Sequence, residues 1–260
     1  MTTLYAPTAT PMTLRPPSLA RLSRVELRKA VDTRAGRWLL VLVAVVAVAS
    51  AVIAGVAGHA SGHTLPGILG MTGQATAILL PVLGVLLVSS EWSQHSALAT
   101  FTLVPRRSRV IAAKVAAGVA LAVVAAVACV ALAVAVTAVA GHGTANPAGA
   151  WAGAARAIGE AFVFQILNVL LGVGFGLLFR SSAVAIVVYF AAPTAWSILT
   201  GTIRALAGTG HWLDPSTAWN HLAGGTVTAT TWGQIGTTAV VWIALPAVAG
   251  LWRITRRPVA

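Results

Sequence analysis

The chain is short of charge. Only 8% of its residues are Asp, Glu, Lys or Arg, against 58% hydrophobic, whereas a soluble globular domain carries about 25% charged residues. Too little polar surface remains for a water-facing shell, which excludes an ordinary soluble domain. Acids are scarcest: Glu26, Asp32, Glu91, Glu160 and Asp214 are the whole set. Only Glu160 falls inside an apolar run, so a carboxylate pair for protease chemistry within the membrane is not expected. The only lysines, Lys29 and Lys114, are followed by Ala30 and Val115. The sequence therefore has no Gly-x-x-x-x-Gly-Lys-Ser/Thr loop to cradle ATP phosphates. It has no His-Glu-x-x-His either. His59 and His63 are four apart, but Gly62 and Pro66 disfavour a helix between them and no third ligand is near. The single cysteine, Cys129, sits in an apolar run, which excludes an internal disulfide framework and a cysteine metal cluster. It reads as a small buried hydrophobe. We expect no enzyme here, and no cofactor or metal bound by this chain.

What the sequence does have is a series of long apolar runs. Each reaches the ~18 residues that mark a membrane-spanning helix, and their continuity excludes the alternating pattern of a β-barrel. The expectation is an all-α membrane protein with six transmembrane helices, at about 38–57, 67–90, 110–140, 157–179, 183–203 and 234–252. Pro81, Pro193 and Pro246 fall inside three of them and predict kinks, because proline removes a backbone hydrogen bond. The third run is too long for ~30 Å of hydrocarbon at ~1.5 Å per residue. Its first turn or two is expected to stand out of the bilayer, with Lys114 at the membrane edge. Only Arg180, Ser181 and Ser182 separate the fourth and fifth runs, which makes them a hairpin.

The formal charge of +12 would point to nucleic acid in a soluble protein. Here the cations cluster at the ends of apolar runs. With six crossings, all 17 Lys and Arg residues except Arg156 and Arg204 fall on the side of the N-terminus. By the positive-inside rule both termini are cytoplasmic, and no nucleic acid partner is expected. Trp38, Trp92, Trp151 and Trp252 mark span ends, as interfacial aromatics do. Residues 1–17, with four prolines, read as a flexible cytoplasmic tail ahead of a single six-span domain over 18–257. From Ser18 a basic helix is expected, with Arg21, Arg24 and Arg28 on one side and Leu27, Ala30 and Val31 on another. Glu26 and Lys29 lie within it. A helix of that kind ahead of a span either lies on the inner membrane surface or is only a cationic flank that fixes topology.

Three further features stand out. Glu160 is a carboxylate inside a span, which is costly and by default functional. Arg156 precedes it by four residues, the spacing of a helical ion pair, so structural pairing and substrate or proton handling both stay open. Gln165 and Asn168 follow on the same helix and can bond neighbouring helices or face a pathway. Gly172 and Gly176 form a GxxxG that allows close helix packing. In the loop before the last span, Asp214 and Pro215 fit a helix N-cap and first position. The helix they predict, to about Leu222, has Trp212, Trp219 and Leu222 as its apolar face. It would dip into the outer leaflet or cover the mouth of a pathway.

The stretch from Glu91 to Lys114 is the only cation-rich polar segment between spans. Ser96 to Val104 can form a short helix with Ala97, Phe101 and Val104 on one face, and Pro105 separates it from Arg106, Arg107 and Arg109. The order Glu91, Ser96, Ala97, Thr100, Phe101, Leu103, Pro105, Arg106, Arg109, Lys114 resembles the loop between the second and third spans of ABC-2 type permeases, the membrane subunits of bacterial ABC exporters. Ser96 and Ala97 stand where that family most often has Gly-Thr. The basic helix with Arg21, Arg24, Glu26, Arg28 and Lys29 resembles the family's elbow helix. The segment from Leu213 to Leu222 resembles its short extracellular helix. The resemblance implies a permease in the bacterial cytoplasmic membrane, in a homodimer or heterodimer with a second permease subunit. It also implies a separate cytoplasmic ATPase that carries ATP and Mg and docks on a coupling helix at Glu91 to Val104. From the residues alone, an ATP-independent carrier or channel built on Glu160 stays open, as does a membrane-resident regulatory protein.

Overall fold

The computed structural model describes residues 18–57, 63–93, 107–141, 146 and 148–256, and every regular element among them is helical. Six stretches are long and apolar enough to cross a membrane: Arg34–Ala57, Leu65–Ser90, Ser108–Ala140, Gly149–Phe179, Ser182–Thr202 and Ala229–Ile254. The chain is a multi-pass helical membrane protein, as its apolar runs require. The expected tail over 1–17 lies outside the described residues, as do His59 and Arg257.

Helix α1 (Leu19–Asp32) starts where the Ser18 hydroxyl accepts from the Arg21 amide. Its bundle-facing stripe is Leu22, Ser23, Glu26, Leu27 and Ala30, while Arg21, Arg24 and Arg28 face away. Val31, expected on the apolar face, is exposed, and the buried centre of that face is an acid, Glu26. At Thr33 the chain turns, with the Thr33 hydroxyl accepting from the Gly36 amide at 3.1 Å, and α2 (Arg34–Ala57) forms the first span.

The second span is two helices, α3 (Leu65–Ala77) and α4 (Leu80–Ser93), rather than one kinked at Pro81. The break falls at Ile78 and Leu79. Proline 81 has no N–H to return to the Ala77 carbonyl four residues back. The ladder opens there, and the hydroxyl of Tyr189 donates to the Ala77 carbonyl at 3.4 Å instead. Helix α5 (Arg107–Gly141) is the long third span. Its first turns are not bare: Val110, Ile111 and Ala113 are buried, and α1 packs along them.

Helix α6 (Ala154–Phe179) is the axle of the bundle, packing against α3, α4, α5 and three later helices. Its contact with α4 is backbone to backbone. A Cβ at Gly172 would collide with the Pro81 carbonyl, and one at Gly176 would stand 3.1 Å from the Val85 carbonyl oxygen. The expected close approach at the GxxxG is real, and Gly84 on α4 answers it against the Val169 carbonyl. The hairpin to α7 (Ser182–Thr202) turns on Arg180, a non-glycine residue at φ 55°. The sixth span is α10 (Ala229–Ala239), a π-helical turn over Val240–Ala244, and α11 (Leu245–Arg256). Pro246 deprives the Trp242 carbonyl of its usual partner, and the wider turn sits there. Between spans five and six lie α8 (Ala207–Leu213) and α9 (Pro215–Gly224). Helix α9 packs on α3 and α6 and closes the end of the bundle away from α1.

Candidate functional site

Two polar clusters lie at opposite ends of the bundle. At the α1 end, Glu26 is 4% exposed and Lys114 is 1% exposed. The Lys114 ammonium donates to Glu26 Oε2 at 2.6 Å and to the Leu87 carbonyl at 3.2 Å. Lys29, half-exposed, donates to the other carboxylate oxygen at 2.8 Å. One carboxylate thereby fastens α1 to α5, and the same lysine reaches the last turns of α4. An isolated buried ammonium would be prohibitively costly, and Glu26, buried with Lys114, supplies a counter-charge.

The sequence reading did not foresee this partner for Lys114. Rather than standing bare, Lys114 is buried as the inner half of an ion pair. Arg21, Arg24 and Arg28 of α1 are exposed. Arg109, on the first turn of α5, is half-buried. The expected coupling residues Ser96, Ala97, Thr100, Phe101, Leu103, Pro105 and Arg106 lie outside the described residues. Glu91 closes α4 by its backbone, and its side chain also lies outside them. Sequence reasoning had one usable signal for the pair: a lysine five residues into an apolar run needs a counter-charge, and acids are few.

At the far end the chemistry is mostly neutral. Asp214, 4% exposed, accepts from the Ser216 amide at 2.9 Å, the Ser197 hydroxyl at 2.7 Å and the Thr217 hydroxyl at 2.9 Å. It caps α9 as expected and also ties it to α7. Trp219 and Leu222 are buried beneath α9, with the Trp219 indole N–H donating to the Thr238 hydroxyl at 3.0 Å. The apolar face therefore turns inward onto the bundle. Trp212, expected on that face, belongs to α8 and is exposed. Gln74 of α3 donates to the side-chain oxygen Oδ1 of Asn220 on α9 at 2.5 Å. Under α9 lies a cavity of about 260 Å³ between α3, α6 and α7.

The three polar residues of α6 part company. Glu160 accepts from Arg156 Nε at 2.7 Å, and the same guanidinium reaches the Val227 carbonyl in the link between α9 and α10. Oε2 of Glu160 is buried without a hydrogen-bond partner among the described residues. Gln165 donates to the Thr76 hydroxyl at 2.8 Å and lies 3.6 Å from Cys129 Sγ, joining α6 to α3 and α5. Cys129 is buried and free. Asn168 donates to the Phe164 carbonyl of its own helix at 2.9 Å and lines the cavity. Among the described residues no three His, Cys, Asp or Glu side chains gather as a metal site.

Comparison with protein-family models and with curated proteins finds no match to this chain.

Proposed function

We propose that this chain is the permease subunit of an ATP-binding-cassette exporter in a bacterial cytoplasmic membrane. Both termini and the 94–106 segment face the cytoplasm. A separate ATPase, which carries the Mg-ATP, docks on Glu91 to Val104, and a second permease subunit completes the translocation path. The observation that supports this reading best is the Glu26–Lys114 pair with its bond to the Leu87 carbonyl. Helices α4 and α5 border the proposed docking segment, and that pair joins both of them to α1. A displacement applied at the segment moves three helices as one body instead of bending a loop. The twin-state behaviour of a transporter needs such a body, because a partner shifts an equilibrium only through contacts that differ between states.

The test is association. The full chain, purified in mild detergent from its host membrane, brings with it a vanadate-sensitive Mg-ATPase activity. Deleting residues 96–104 removes that activity while the chain still inserts. Equal ATPase recovery with and without the deletion would overturn the reading. The alternative, an ATP-independent carrier, draws on the unpartnered Oε2 of Glu160. Transport in vesicles driven by a proton gradient without ATP, and lost in Glu160→Gln, would put that alternative in its place.

A further inference from the structure

The cavity under α9 has a wall chemistry that selects a ligand. Among the described residues, no Asp, Glu, Lys, Arg or His lines it. A charged molecule entering it would leave its hydration behind and find no counter-charge. Four aromatic rings line it, Phe164 from α6, Trp219 from α9, and Tyr189 with Phe190 from α7, beside aliphatic residues such as Ile78 and Leu171. The two α7 rings sit 4.5 Å apart between centroids, and the Trp219 ring is pinned through its N–H to Thr238. The Tyr189 ring is likewise held, through its hydroxyl to the Ala77 carbonyl.

Gln74, Thr194, Ser216 and Asn220 also line the cavity, and Asn168 is the buried polar side chain among them. It is 6% exposed, and its amide nitrogen is committed to the Phe164 carbonyl. Turning the amide over would set two acceptor oxygens face to face, so chemistry fixes which atom is which. The remaining atom, Oδ1, has no hydrogen-bond partner among the described residues. That acceptor is open to the cavity, so an entering donor can take it without breaking a bond within the protein.

We propose that this cavity binds an uncharged aromatic ligand that donates a hydrogen bond to Asn168 Oδ1, with its ring held between Phe164, Trp219 and the α7 aromatics. A cavity of roughly 150 Å³ accepts benzene, so about 260 Å³ takes a ring bearing a small amide or hydroxyl group. Entry is governed by α9, whose Asn220 is latched to Gln74 across the mouth. On the permease reading this is the class of cargo carried, and for transport the proposal rests on that reading. Binding needs no ATPase, so failure of the docking test leaves this one intact.

The experiment uses the full chain in lipid nanodiscs and ligand-observed saturation-transfer NMR, with empty nanodiscs subtracted. Three probes of similar size are compared: acetanilide, neutral with an N–H donor; phenylacetate, anionic; and cumene, apolar. Acetanilide binds, and phenylacetate binds at least about tenfold more weakly. Asn168→Leu weakens acetanilide about tenfold and leaves cumene unchanged. An acyl chain or other apolar occupant would not make that distinction. Thr194→Trp, at an exposed lining position on α7, fills the mouth and removes binding of both. The proposal is overturned if acetanilide does not bind, if phenylacetate binds as well, or if Asn168→Leu weakens acetanilide and cumene alike. Should Asn168→Leu fail to fold, Thr194→Trp decides alone, and unchanged acetanilide binding sinks the site.

Discussion

The two ends of the bundle are fastened by different physics. At the α1 end a fully buried ion pair joins residues 88 positions apart. At the far end the contacts that cross between helices include amides, hydroxyls, indole N–H groups and a carboxylate serving as a cap, and the ion pair found there among the described residues, Arg156 with Glu160, is local and half-exposed on its arginine side. A buried charge pair cannot loosen by degrees, since separating it strands a charge away from water. Neutral hydrogen bonds near a surface exchange with water at little net cost. One end is therefore a clamp, and the other can open.

Four perturbations sharpen or break that contrast. The largest effect is expected at the clamp. Lys114→Met or Glu26→Gln alone destabilises the protein by about 3–5 kcal/mol, read as a fall in the thermal midpoint in detergent, and the double replacement Glu26→Leu with Lys114→Met recovers most of it. A single-variant loss below about 1 kcal/mol would erase the distinction between the ends. Next comes the axle between them. Gly172→Ala drives a methyl into the Pro81 carbonyl and costs about 1–3 kcal/mol or more; an unchanged midpoint would show that α4 and α6 are not locked there. At the far end, Asp214→Ala removes three accepted hydrogen bonds and costs about 1–2 kcal/mol. Its effect should appear as faster amide exchange confined to 207–224, and a global loss of protection would mean that this end is a clamp too. Smallest is Asn220→Ala, which releases the latch to Gln74. It leaves the midpoint within about 1 kcal/mol while raising exchange in α9 severalfold.

What could be read from the sequence follows the same division between local and distant. Six spans, the Arg180 hairpin, the Asp214 cap and the Arg156–Glu160 pair all rest on neighbours a few residues apart. Glu26 and Lys114 do not, and a lysine near the end of an apolar run looks topogenic until the helix covering it is known. The start of the sixth span shows a subtler miss. Thr228 and Thr231 form a reciprocal cap, each hydroxyl accepting from the other's backbone amide, five residues or so before the expected boundary at Gln234. Threonine in the place usual for Glu or Gln hid the signal. The break before Pro81 was foreseeable in kind, but Tyr189, which satisfies the freed Ala77 carbonyl, lies 112 residues away. Asn168 stood out as an intramembrane amide; nothing local to it shows that one of its atoms would be left open.

The central place of α6 also has a consequence for synthesis. Helices α2 to α5 leave the ribosome before it. Until α6 arrives, the carbonyl and glycine surface of α4 around Pro81 and Gly84 has only lipid against it. A nascent chain halted after Gly141 is therefore three inserted spans without their shared neighbour. That intermediate is the point at which a quality-control protease or insertion chaperone would find the protein most open.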